Sequence, residues 1–270
     1  MEPIASLLQT AERAAREAGQ LLRARLSDER DVQKKGLRDI VTDADLAAER
    51  VVVQIIRARF PEHALLAEEG GRSENESPYV WVVDPLDGTT NYSRRFPVFS
   101  VSVGAVHQGR LTVGVVYDPL HDHLFAAQRG GGATLNGKPL QVSQFDRVSD
   151  AVVGLDWAHA QRDRYEVVAR LDRLAPACRT LRGIGSAALA LCYVAAGWLD
   201  AYFHVGLKPW DMAAGLLLIE EAGGRVTEID GQGWRPWAPR VLVSNGHLHP
   251  QLLALMDGVS DEKRGRGEQG

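Results

Sequence analysis

Residues 99–106 read FSVSVGAV, and the alternation is strict. Phe99, Val101, Val103 and Ala105 fall on one side, and Ser100, Ser102 and Gly104 on the other. A period of two belongs to a strand and cannot be served by one face of a helix. QGR (108–110) then turns the chain back into TVGVVYD (112–118), which requires an antiparallel pair. HLFAAQ (123–128) and ATLNGKPL (133–140) prolong the pattern, with Asn136-Gly137 as a hairpin signal. The middle of the first half is therefore committed to an antiparallel sheet.

Helical patterns flank that sheet. The N-terminal segment places Ile4, Leu8, Ala11, Ala15, Ala18 and Leu22 on one face of a helix running to about residue 26, and a second helix is expected from Thr42 to about Phe60. Beyond about residue 150, AVVGLDW, WLDAYFHV, RVTEI and RVLVSN read as strands. Residues 161–175, GSAALALCYVAAG, DMAAGLLLIEEAGG and the end of SNGHLHPQLLALM read as helices. The pattern predicts an α+β chain of layered sheets and helices. Residues 1–258 are expected to form one domain with subregions at about 1–148 and 149–258, followed by a disordered tail over 259–270.

Bulk properties narrow the functional classes. The 270 residues suffice for one or two domains, and the net charge of −4 comes without a basic stripe. That balance argues against nucleic-acid binding driven by phosphate neutralisation. No run approaches eighteen apolar residues, so no membrane span is expected. Glu2, Glu12 and Glu17 interrupt the first segment, which lacks the apolar core of a secretory signal. Cys178 and Cys192 are too few for a disulfide framework, and a cytoplasmic protein is expected.

Carboxylates gather at the ends of elements, in DIVTDAD (39–45), AEEGG (67–71), DPLDGTT (84–90) and PWDMAAG (209–215). Each has an ordinary structural reading. Thr42 and Asp45 have capping-box spacing, Asp211 suits the start of a helix, Glu68-Glu69-Gly70-Gly71 suits a turn, and Asp87-Gly88 is a common turn pair. Around Asp84 the pattern says more. Asp84 ends a buried strand, and Asp87 returns across Pro85-Leu86, so that both carboxylates can bridge a pair of cations. Gly88, Thr89 and Thr90 then offer N–H groups suited to a phosphate. Hard cations such as Mg²⁺ take oxygen donors of this kind.

GLRDIVTDADLAAE, LLAEEG, WVVDPLDGTTNY and PWDMAAGLLLIEEAGG resemble, in order and spacing, the signature segments of the inositol monophosphatase family. The resemblance covers roughly residues 5–258. It implies an αβαβα sandwich, a homodimer, and a Mg²⁺-dependent, lithium-sensitive phosphatase acting on a small phosphorylated substrate. It further implies that Glu68, Asp84, Asp87, Asp211 and the carbonyl of Leu86 hold metal. Asp45 and Thr89 would activate the attacking water, and the N–H groups of Gly88 and Thr89 would hold the phosphate. Gly185, Ser186 and Ala187 match the stretch that contacts the substrate.

The chain departs from the inositol-specific pattern at one position. Seven residues before Asp211, where those members carry an acid, stands His204. Neutral imidazole can bond a hydroxyl, whereas protonated imidazole would favour a second anion. Lys34 and Lys208 lie in the matched segments and could meet such a group. Fructose-1,6-bisphosphatase and histidinol-phosphate phosphatase activities thus stay open, as does the accessory role in transcription or ribosomal-RNA synthesis of some bacterial relatives. Gly130-Gly131-Gly132 reads as a β-turn, and Glu220-Glu221, His121-x-His123 and His247-x-His249 read as surface.

Overall fold

The computed structural model describes residues 2–29, 31–235 and 237–257. The tail expected over 259–270 lies outside them. Among the described residues the chain runs through α1 (Ile4–Ala24), β1 (Val32–Lys34), β2 (Ile40–Thr42), α2 (Asp43–Arg59), β3 (Ala64–Ala67), β4 (Gly71–Arg72) and β5 (Tyr79–Asp87). Next come α3 (Thr89–Ser93), β6 (Ser100–His107), β7 (Arg110–Asp118), β8 (His123–Gln128), β9 (Gly132–Leu135) and β10 (Lys138–Pro139). The second half holds β11 (Val152–Leu155), α4 (Gln161–Leu174), β12 (Thr180–Gly183), α5 (Ala187–Ala195) and β13 (Ala201–Val205). It closes with α6 (Pro209–Glu221), β14 (Arg225–Glu228), β15 (Arg240–Ser244) and α7 (His249–Met256).

Strands β10-β9-β8-β7-β6-β5-β3-β4 form an eight-stranded sheet, antiparallel except where β3 meets β5. Strands β12-β11-β13-β15-β14 form a mixed five-stranded sheet. Helices α1 and α2 cover the outer face of the first sheet, α5 and α6 lie between the sheets, and α4 and α7 cover the outer face of the second. This is the expected αβαβα sandwich. No helix among the described residues is long and apolar enough to cross a membrane.

The two faces of β6 are both buried, for different reasons. Phe99, Val101, Val103 and Ala105 pack with Leu7, Ala11 and Ala15 of α1. The opposite face keeps small side chains because α6 lies directly on it. A Cβ on Gly104 would stand 3.1 Å from that of Ala213, and one on Gly114 would stand 2.6 Å from the carbonyl oxygen of Ala214. Backbone cannot yield to that overlap as a side-chain tip can. Gly114→Val is therefore expected to cost about 2 kcal/mol or more, read as a lower urea midpoint at unchanged slope. The turn at Gln108-Gly109 has both residues at positive φ (49° and 78°), as a two-residue hairpin requires.

His249 was expected at the surface and is instead fully buried. Its Nδ1 faces the Ser244 hydroxyl at 2.8 Å and its Nε2 faces the Thr227 hydroxyl at 2.9 Å. Thr227 gives its own proton to the Glu228 carbonyl, so Nε2 must donate and Nδ1 must accept from Ser244. Burial, helped by Arg225, lowers this imidazole to about 4. The unfolded chain then binds a proton between pH 6.5 and 4 that the folded chain refuses, so stability falls as pH drops through that window. Between pH 7 and pH 5 the wild type is expected to lose on the order of 1–2 kcal/mol more than His249→Gln, measured by urea unfolding at both pH values.

Candidate active site

Strand β5 carries an irregularity where its acids lie. Asp84 pairs with Ser102 and Asp87 with Ser100, so three steps on β5 match two on β6. This extra residue is a bulge, and it accommodates Pro85, which has no N–H for the ladder. In a regular strand Asp84 and Asp87 would point to opposite faces. The bulge brings both into register with Ser100 and Ser102, on the face that carries α6 and Asp211.

Asp84 is 2% exposed, and its Oδ1 accepts the Leu86 N–H at 3.0 Å. Burial raises its pKa well above the ordinary range, and the charges of Glu68, Asp87 and Asp211 raise it further. Asp211 is likewise raised well above that range by burial, then by Asp87 and Glu68, against the Lys208 N–H that its Oδ2 accepts at 2.7 Å. Glu68 is pushed up to about 7 by burial, with Lys35 opposing and Glu69 and Asp45 adding to the rise. Burial also raises Asp87, against the hydrogen bonds it accepts from Ser186 and the N–H groups of Ala187 (3.1 Å) and Ala188 (2.8 Å). Glu68, Asp84, Asp87 and Asp211, drawn from three separate segments of the chain, thus stand within electrostatic reach of one another. Among the described residues no three or more His, Cys, Asp or Glu side chains are already drawn up as a metal-holding set.

The cation that does meet these acids is Lys35. Its ammonium bonds Glu68 at 3.2 Å and bonds Glu69 as well. Burial works against its charge, but the two glutamates outweigh that and raise its pKa. Lys34, which the sequence offered with Lys208 as a partner for a second anionic group, ends the exposed strand β1. Successive residues of extended chain point opposite ways, so the neighbour is the one that reaches the acids. Oxygen-only donors, an excess of negative charge and an ammonium already held between two of them fit a hard divalent cation.

Beside the acids, Asp45 has two roles. Its Oδ2 accepts the Thr42 N–H (2.9 Å) and the Thr42 hydroxyl (2.5 Å), closing the turn that starts α2. Its Oδ1 faces the Thr89 hydroxyl at 3.0 Å, and that hydroxyl also lies 3.1 Å from the Leu86 carbonyl. Both neighbours of Thr89 are acceptors, so its single proton is spoken for and its oxygen is left to accept. Asp45 is fully buried and is pushed up to about 6 by burial, against its bonds to Thr42 and Thr89.

The second subregion closes on the first through two glycines. Gly88 has φ 97°, and a Cβ there would stand 3.1 Å from the Gly185 carbonyl oxygen. Gly185 has φ 77°, and a Cβ there would strike the Asn91 side chain at 2.6 Å. Asn91 Nδ2 donates to the carbonyls of Val98 (2.9 Å) and Ile184 (3.1 Å), tying the loops together. The Ser186 hydroxyl and the Ala187 N–H, matched to substrate contacts, are here engaged by Asp87.

Sequence reading passed over Asp156, at the end of AVVGLDW. Its Oδ1 accepts the N–H groups of Ile184 (2.9 Å) and Gly185 (2.6 Å), and its Oδ2 accepts the Tyr202 hydroxyl at 3.2 Å. Burial raises it to about 7, against the Gly185 bond and with the charge of Asp87 adding. The available signal was the one used for Asp84, an acid just past a β-branched run. His204 lies on β13, 7% exposed, with its ring 6.3 Å from that of Tyr202. Its Nδ1 has no hydrogen-bond partner among the described residues, and burial lowers the ring to about 4, with His159 contributing.

Residues 4–260 match the inositol monophosphatase family. The chain belongs to that family. It is 40% identical to the Nus factor SuhB of Escherichia coli K12 over 260 residues, covering 94% of this chain and 97% of that protein. Identity to the chloroplastic phosphatase IMPL1 of Arabidopsis thaliana is 37% over 271 residues, covering 97% of this chain and 73% of IMPL1. The solved inositol monophosphatase of Anabaena superposes with a TM-score of 0.85 at 40% identity, covering 93% of this chain and 95% of that one. Membership makes the protein a phosphatase of this metal-dependent superfamily, built on the family fold.

Proposed function

We propose that this inositol monophosphatase family member is a Mg²⁺-dependent phosphomonoesterase of inositol monophosphate or a similar small sugar phosphate. The observation that carries the reading is the bulge in β5, which sets Asp84 and Asp87 on one face beside the Asp45–Thr89 pair. Glu68, Asp84, Asp87, Asp211 and the Leu86 carbonyl would hold the metal, with Lys35 released from Glu68. When bound, the metal supplies Lewis-acid charge that activates water and stabilises the departing ester oxygen. The chain supplies the rest. Thr89 Oγ1 accepts a proton from the attacking water while its own proton passes to Asp45 Oδ1. The N–H groups of Gly88 and Thr89, at the first turn of α3 where no helical acceptor reaches, receive the phosphate oxygens. His204, neutral when buried, offers its unpartnered Nδ1 to a substrate hydroxyl rather than a charge to a second phosphate.

Residues 1–258 act as one catalytic unit in this reading, in a cytoplasmic homodimer that takes a small phosphorylated substrate. The likeness to a protein named Nus factor supports a second reading, in which the surface serves transcription. A binding role makes no demand on the buried acids, so the two readings part in one experiment. Phosphate release is measured with inositol 1-phosphate, fructose 1,6-bisphosphate, histidinol phosphate and 3′,5′-bisphosphoadenosine, each with Mg²⁺ and with chelator. Mg²⁺-dependent turnover, highest on inositol 1-phosphate, is expected. No turnover of any compound by folded, metal-loaded protein sinks the proposal in favour of the binding role.

A further inference from the structure

A cavity lies at the opposite end of β6 and α6 from the acids. It measures about 200 Å³ and is lined by Trp234, Trp237, Arg110, Arg129, Leu111 and Glu220, among others. Six residue steps of strand lead from Ser100 to Val106 on its wall, a span of about 20 Å, so nothing bound there touches the candidate active site.

The charges of the cavity do not cancel. Arg129 is committed: its Nε donates to the Leu111 carbonyl at 3.0 Å and its Nη1 bonds Glu220 at 2.6 Å. The adjoining Glu221 accepts the N–H groups of Gly130 (2.9 Å) and Gly132 (3.0 Å), fastening the glycine turn to the end of α6. The acid pair lies at the helix surface, as its sequence suggests, and from there fastens this turn. Arg110 is different. It is exposed beside the hairpin turn, and among the described residues its guanidinium makes no ion pair and no hydrogen bond, so it is free to meet an anion at the cavity mouth.

Two indoles make much of the apolar wall. Trp234 packs against the central core, whereas Trp237 is 36% exposed and held at φ 72°, in the left-handed region that a bulky side chain rarely adopts. Indole faces favour flat rings, and guanidinium groups favour carboxylates. The volume lies below the roughly 300–1,000 Å³ of pockets for drug-sized ligands, so the occupant is small. Glu220 on the wall opposes a doubly charged phosphate monoester but tolerates a single negative charge beside Arg110.

We propose that this cavity binds a small aromatic monoanion, a planar ring bearing one carboxylate, with the ring against the indoles of Trp234 and Trp237 and the carboxylate on Arg110. The site is independent of the phosphatase reaction. Calorimetric titration of the full-length chain with benzoate tests it. One saturable site per chain is expected, and Asp84→Asn should leave the affinity intact, which separates this site from the acids. Benzamide lacks the charge and cyclohexanecarboxylate lacks the flat ring; each is expected to bind at least about ten-fold more weakly. Arg110→Gln and Trp237→Ala should each weaken benzoate about ten-fold while leaving phosphate release unchanged. The assignment is overturned by an absence of saturable benzoate binding up to about 10 mM. It is overturned equally by binding that both variants retain or by equal affinity for benzamide.

Discussion

Asp84→Asn is expected to lower Mg²⁺-dependent phosphate release on the order of 10³-fold, a loss of several kcal/mol of transition-state stabilisation. Asparagine keeps the volume and the Oδ1 that accepts the Leu86 N–H, so the bulge in β5 survives. What goes is an acid whose ionisation is opposed by burial and by the neighbouring Glu68, Asp87 and Asp211. The metal-free variant should therefore melt no lower than the wild type in chelator, measured by scanning calorimetry. A lower melting temperature with activity retained would assign Asp84 to the scaffold and remove it from the chemistry.

Thr89→Val should lower kcat by about 10²–10⁴-fold, with KM and Mg²⁺ affinity little changed. Valine matches the shape of threonine but cannot take a proton from water or hand one to Asp45, 3.0 Å away. The Leu86 carbonyl would remain in place on β5. Thr89→Ser restores the hydroxyl and should recover most of the rate. If instead the valine variant changed KM and left kcat alone, Thr89 would be a substrate contact and the proton path through Asp45 would be wrong. Steady-state rates for the three proteins at saturating Mg²⁺ decide between these outcomes.

Much of this architecture was legible in the sequence because it is local. Strict alternation in FSVSVGAV forces a strand, QGR forces a tight reversal, and Thr42 with Asp45 opens a helix. These signals act over fewer than ten residues and do not depend on what lies across the core. The acids of the candidate site were equally legible as residues, since each sits at the end of an element.

Their arrangement was not. That Asp87 turns back toward Asp84 across Pro85-Leu86 could be read from the sequence, but the register shift against β6 that sets both beside Ser100 and Ser102 could not. Lys34 and Lys35 are equivalent as letters, but the fold brings Lys35 to Glu68 and Glu69. His249 looked like surface until Ser244 and Thr227, from two strands, closed around it. Asp156 gained meaning only when Ile184, Gly185 and Tyr202 converged on it. By itself the sequence determined which segments are strands and helices and which acids end them, because periodicity and capping are short-range. Tertiary structure alone decided which charges meet, because burial and Coulomb interaction depend on distance through space rather than along the chain.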